Sequence, residues 1–159
     1  SRTPYNKINI HLGGAYGDKE ASMKRFVKNF PRLPESVRSR LTLENDDKGS
    51  MYSVKDLYEG IYKKIGIPIV FDYHHHQFCT GGMSEQEALE MALSTWGDIK
   101  PVTHYSESRR DEQEDKTIRV QAHSDYVYDK IEMYGNDFDI MVEAKAKELA
   151  VDRYLKIHG

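Results

Sequence analysis

An α/β fold of parallel strands wrapped in helices is what this sequence predicts, on three observations. Short apolar runs rich in Ile, Val and Leu alternate with amphipathic segments of helical period. The strand-like runs are continuously apolar, the pattern of strands buried on both faces. Each of them also ends in a residue able to bind a metal: His11, Glu44, Asp72 with His75, His104, and Glu143. In a (β/α)8 barrel the C-terminal edge of the sheet is the active face, and several strand ends contribute to it. A complete barrel needs eight strands and about 250 residues. Five strand–helix units in 159 residues therefore predict a partial (β/α)8 barrel.

The first strand is expected at residues 7–11, followed by a turn at Gly13-Gly14 and a helix over 18–30. The second strand, 40–44, runs into the turn Glu44-Asn45-Asp46-Asp47. A helix over 53–65 places Val54, Leu57, Tyr58, Ile61 and Ile65 at helical spacing, and Gly66 stops it. The third strand, 68–72, leads into His74-His75-His76. Ser84-x-x-Glu87 is a capping box that opens the helix 84–96, with Leu89, Ala92, Leu93 and Trp96 on one face. The fourth strand, 101–105, precedes residues 106–121, which are charged and fit neither period. They read as a long solvated loop from which Arg109 and Arg110 could reach phosphate. The last strand is 138–143 and the last helix 145–155. No repeat, linker or low-complexity tract divides the chain, so residues 1–159 read as a single domain.

Composition bounds the function classes. With 38% hydrophobic and 31% charged residues the chain is ordinary for a globular protein. No apolar run approaches the roughly 18–20 residues of a membrane span, and the first ten residues lack a signal-peptide core. Cys79 is the only cysteine, which excludes an internal disulfide and suits a reducing compartment. The cytoplasm, or the nucleus or mitochondrion of a eukaryote, is the expected location. The net charge of -3 is not the basic footprint usual for a binder of duplex DNA. Divalent cations held by carboxylates would, however, invert the local charge. The chain opens on Ser1 rather than Met, and an upstream segment is expected.

Imidazoles and carboxylates together suit Mn, Fe or Zn, and a set poor in cysteine leans away from structural zinc. One His after a strand is ordinarily a surface residue. Five strands in succession ending in metal ligands form a pattern.

The motifs resemble those of a known family. Leu41-Thr42-Leu43-Glu44-Asn45-Asp46 and Ile67-Pro68-Ile69-Val70-Phe71-Asp72-Tyr73-His74-His75-His76 look like signature blocks of UV damage endonucleases. The helix from Ser84 with Ser94-Thr95-Trp96, then His104-Tyr105-Ser106, Ala122-His123-Ser124-Asp125-Tyr126 and Asp139-Ile140-Met141-Val142-Glu143-Ala144-Lys145, continue in the same order. The resemblance covers essentially the whole chain. It implies the C-terminal five strand–helix units of a TIM barrel related to endonuclease IV and xylose isomerase. It also implies a cluster of two or three divalent metals, usually manganese, acting on damaged double-stranded DNA. The implied reaction is hydrolysis of the phosphodiester 5′ to a UV photoproduct or abasic site.

Carried over residue by residue, His11 and Glu44 match ligands of a first metal. Glu44 bridges to a second, completed by Asp72, His104 and Glu143, and these last three with Glu44 form the implied catalytic set. His75 and His123 match ligands of a third metal. Strict strand alternation would put His74 and His76 on the face of Asp72, so His75 qualifies only if the chain turns there. A metal cluster can generate hydroxide, clamp a phosphate and stabilise the leaving oxygen. Only a carboxylate such as Glu44 has the two oxygens that bridging needs.

One position departs from the family pattern. Val102 stands where many members carry a carboxylated lysine, with Lys100 and Thr103 as its polar neighbours. The third site is then weak, absent or completed by Asp125. Two other functions use similar features: a sugar isomerase on a related barrel, and a binding module or inactive fragment. Neither would nick DNA in response to damage.

Overall fold

The computed structural model describes every residue except Ser1 and Pro4. Five parallel strands form a half-barrel: β1 (Ile8–Ile10), β2 (Leu41–Glu44), β3 (Ile69–Asp72), β4 (Val102–Tyr105) and β5 (Asp139–Val142). Their order in the sheet is their order in the chain, so every strand runs the same way and all five C-termini meet at one edge.

Register decides which residues share a face. Asn9 pairs with Thr42, Glu44 with Val70, and Asp72 with His104, and alternation along each strand adds Val102 to this inner face. The opposite face carries Leu41, Leu43, Ile69 and Phe71, which pack with Leu57, Ile61, Ala88, Leu89 and Ala92 of the surrounding helices. Each fully buried Leu or Ile in that layer contributes about 1.5–3 kcal/mol. The inner face has a smaller apolar cluster of Val70, Val102 and Trp96, with Ile99 against it. Trp96 Nε1 donates to Ile69 O, which anchors the cluster to β3.

The helices form largely where expected. Helix α1 (Lys19–Asn29) starts on Asp18, whose carboxylate accepts from Ala21 N. A 3-10 turn at Phe30–Arg32 and a short helix α2 (Glu35–Arg38) follow. The expected helix over 53–65 is built from α3 (Val54–Leu57), a π turn (Tyr58–Tyr62) and α4 (Lys63–Ile65). Gly60 lies within the π turn, and a Cβ there would sit 2.3 Å from Met23 Sδ. The absent Cβ leaves room for the end of the Met23 side chain from α1. Gly66, at φ 68°, ends the run in the left-handed conformation.

Helix α5 (Tyr73–His76) follows β3 directly. Helix α6 (Glu85–Leu93) carries the expected Ser84/Glu87 capping box and ends in the 3-10 turn Ser94–Trp96. Helix α7 (Arg109–Glu112) follows β4. Helix α8 (Glu148–His158) starts later than residue 145 and runs past 155, because Lys147 takes a φ of 51° and delays the helix.

Residues 106–121 are only in part the solvated loop expected from their charge: 113–117 are exposed and irregular, but the rest is more ordered. Besides α7, they include Ser108, which bridges to His123 across an antiparallel contact. Glu107 accepts the amides of Tyr128 and Asp129, and Glu112 those of Asp125 and Tyr126. Carboxylates here satisfy backbone donors that a helix or strand would otherwise have paired. Among the described residues no helix is long and apolar enough to cross a membrane.

Candidate metal centre

The C-terminal sheet edge gathers the residues that the strand ends offered. Glu44 closes β2, is 5% exposed, and is the hub. Its Oε1 lies 3.3 Å from His75 Nδ1, and its Oε2 lies 3.3 Å from His104 Nδ1 and 3.9 Å from His11 Nε2. Two groups of donor atoms, each within 4.8 Å of one another, share it: His11 with Glu44 and His75, and Glu44 with Asp72 and His104.

The chain turns where the His75 reading required it. Asp72 closes β3 and caps α5, accepting from His75 N at 2.8 Å. The resulting helical turn brings His75 beside Glu44, while His74 and His76 are buried. His75 Nδ1 lies 2.9 Å from Asn45 O. A carbonyl only accepts, so Nδ1 carries the proton and Nε2 the lone pair. His11 follows β1 and is held similarly, with Nδ1 2.7 Å from Asp46 Oδ1. Asp46 is itself fixed by Tyr52 N on its other oxygen. Such carboxylate and carbonyl partners set imidazole orientation at metal sites. The motif Glu44-Asn45-Asp46 does not by itself disclose these supporting roles of Asn45 and Asp46. Their place immediately after Glu44 is the available signal.

Electrostatics mark the cluster. Burial and the neighbouring carboxylates Glu44 and Glu143 push Asp72 up to about 8. Burial also acts upward on Glu44, but the His104 imidazole and the Asp72 carboxyl outweigh it and hold Glu44 down at about 2. Two carboxyls in one buried site divide in this way because they cannot both ionise cheaply. Burial acts downward on His104, and the adjacent Glu143 and Glu44 carboxylates, 3.2 and 3.3 Å from its Nδ1, overcome it to raise the imidazole to about 9. His104 also lowers Glu143, whose Oε1 is 3.2 Å from His104 Nδ1. The Asp46 hydrogen bond raises His11.

The donor set fits a divalent cation. Asp72 Oδ2 and His104 Nδ1 are buried and make no hydrogen bond within the protein. Both belong to the second donor group, where a cation would satisfy them.

Three residues lie apart from the donor groups. Glu143 follows β5, continuing its ladder by donating its amide to Tyr105 O, and reaches the cluster through His104. His123 stands 3.8 Å from Glu143 Oε2, and no three-donor group among the described residues includes it. Asp125 pairs with Arg109, so neither its carboxylate nor that guanidinium is free. Val102 is buried in the inner apolar cluster. Of the tyrosines near the strand ends, Tyr73 and Tyr105 pack edge to face on each other, and Tyr126 lies under Arg153.

The family profile described as UV-endonuclease UvdE matches residues 1–158. A UV DNA damage endonuclease of Bacillus cereus (strain G9842) is 37% identical over 158 residues, covering 93% of this chain and 47% of the relative. One of Bacillus pumilus (strain SAFR-032) is 39% identical, covering 94% of this chain and 47% of the relative. The chain thus spans about half the length of the curated relatives it matches. The crystal structure of SacUVDE superposes with a TM-score of 0.77 at 32% identity, covering 95% of this chain and 52% of that one. With a profile match along nearly its whole length, and a half-barrel like that of SacUVDE, this chain belongs to the UV-endonuclease UvdE family.

Proposed function

We propose that the protein containing this chain is a metal-dependent DNA repair endonuclease, acting in the cytoplasm on damaged duplex DNA. It cleaves the phosphodiester 5′ to a UV photoproduct or abasic site. The observation that carries this reading is the buried Glu44, shared by two donor groups at the C-terminal sheet edge. Glu44 with His11 and His75, and Glu44 with Asp72 and His104, would hold two divalent cations, manganese being our choice. Glu143 reaches the second group from β5, and His123 stands beside Glu143. Bound cations supply an activated water and Lewis-acid stabilisation of the phosphate and leaving oxygen.

The residues do the rest. Glu44 turns Oε1 toward His75 and Oε2 toward His104, with His11 also on the Oε2 side, so that a carboxylate between the two groups could bridge them. Asp46 and Asn45 fix the imidazoles of His11 and His75 with a lone pair on Nε2. Hydrolysis adds water across the P–O3′ bond, leaving a 3′-hydroxyl and a 5′-phosphate, and the Glu143 carboxylate at the rim of the second group can take up the water's proton. A like half-barrel in the solved relative, in a chain about twice as long, supports an upstream segment that completes the site.

The test is nicking of UV-irradiated supercoiled plasmid with manganese, by this chain alone and joined to the upstream segment. Damage-dependent nicking that a chelator abolishes is expected from the joined protein. Nicking indifferent to irradiation or to chelator would overturn the proposal.

A further inference from the structure

Asn9 stands on β1 two residues before His11, on the inner face and directly opposite Thr42 of β2. Its Nδ2 lies 2.6 Å from Glu44 Oε2, and its Oδ1 accepts from Thr42 Oγ1 at 3.0 Å. The amide orientation follows from chemistry. An ionised carboxylate only accepts, so the amino group faces Glu44 and the carbonyl is left for the threonine hydroxyl. Thr42 is wholly buried, so that hydroxyl has no water to turn to.

This contact governs which way Glu44 faces. The oxygen held by Asn9 is the one nearest His104 and His11, while the other faces His75. The terminal torsion of a glutamate is broad and nearly free, and a bridging carboxylate needs its two oxygens divided between two sides. An amide fixes that division without changing the charge of the centre. Aspartate in its place would repel Glu44, and lysine would compete with a cation.

We propose that Thr42, Asn9 and Glu44 form a positioning relay: Thr42 orients Asn9, and Asn9 sets the rotation of the Glu44 carboxylate. The relay rests on the metal-bridging reading of Glu44 given above. Asn9 is a positioning residue, since it touches Glu44 and none of the other proposed ligands. The sequence reading passed over it, although strand alternation puts it on the face of His11.

The experiment compares the protein joined to its upstream segment with its Asn9→Leu, Thr42→Val, Thr42→Ser and double Asn9→Leu/Thr42→Val variants. Two readouts are used: affinity for Mn2+ alone, and crystal structures without metal. Asn9→Leu should bind Mn2+ about 10–100-fold more weakly, the usual effect of losing an outer-shell partner. Thr42→Val should lose less in the same direction, and Thr42→Ser should keep wild-type affinity. The double variant should be no weaker than Asn9→Leu, because the two act in series. In Asn9→Leu crystals the Glu44 carboxylate should be rotated from its wild-type position.

An unrotated Glu44 overturns the relay, as does wild-type affinity in Asn9→Leu or a double variant with fully additive losses. A rotated Glu44 in a protein whose wild type takes up no divalent cation would support the relay and refute the metal reading. Thr42→Val is nearly isosteric and carries both readouts if Asn9→Leu does not fold.

Discussion

Asn45 holds the backbone of Asp72 at both ends: its Nδ2 donates to Asp72 O at 3.0 Å and its Oδ1 accepts from Asp72 N at 2.8 Å. The residue after the Glu44 hub thereby fixes the last residue of β3. Asn45→Ala would leave a buried N–H and a buried carbonyl without partners, each costing about 1–3 kcal/mol. A stability loss of about 2–4 kcal/mol is expected in denaturant unfolding, with weaker metal binding. Unchanged stability would show that water replaces the amide.

Glu44→Gln removes the charge and one metal-binding oxygen while keeping the shape. Nicking by the protein joined to its upstream segment should fall at least about 100-fold, and bound manganese should drop in metal analysis. Near-normal activity would end the bridging role.

The pH dependence has a definite sign. Asp72, pushed up to about 8, and His104, raised to about 9, both hold protons at pH 7 in the metal-free protein. A cation must displace them. Manganese binding should therefore release protons near neutrality, and affinity should climb as pH rises from 7 to 9. Calorimetry in two buffers of different ionisation enthalpy measures the release. Both folded-state values lie above their ordinary ones, so these groups stabilise the metal-free fold at low pH. That contribution is complete below the ordinary values of 3.8 for Asp72 and 6.5 for His104 and is lost as pH rises from there to about 8 and about 9, so thermal midpoints without metal should fall across that range and level off above it.

Val102 bears on the expected number of ions. With an apolar residue at that position, and Asp125 engaged by Arg109, two ions per chain are expected rather than three. Metal analysis of the purified protein tests this. Val102→Lys should raise occupancy when bicarbonate is supplied, at a cost in stability, since the lysine enters an apolar cluster. A third ion in the unaltered protein would show that another residue substitutes.

The sheet borders matter for behaviour in solution. Among the described residues, β1 and β5 each pair on one side only, and Met141 of β5 is 46% exposed. Unpaired strands template association. This chain alone should elute from size exclusion as self-associated species with little nicking, and joining the upstream segment should correct both. A monodisperse monomer that nicks irradiated plasmid would contradict this.

The sheet was legible because its strands are short apolar runs whose ends carry chemistry, as in Ile69-Val70-Phe71-Asp72. The donor groups were legible for the same reason: parallel strands in sequence order bring those ends together. What was not legible depends on partners distant in the chain. Nothing local to Gly60 announces that Met23 packs against it. Asn9 looks like any polar strand residue until Thr42 and Glu44 stand beside it. The charges of residues 106–121 mimic a solvated surface because the amides that Glu107 and Glu112 accept lie some thirteen to twenty-two positions onward.

Those two carboxylates have a consequence for how the molecule can change over generations. The connection from β4 to β5 takes its shape from point attachments, without a ladder whose register an added residue would break. The turn around Glu114, at φ 52° and on the surface, lies between its anchoring points. Residues can be inserted or lost there while Glu107 and Glu112 keep their grip on the far strand of the loop, leaving the sheet edge undisturbed. The stretch beside the proposed metals is thus the part of the chain most open to evolutionary remodelling, and natural diversity in length should concentrate there.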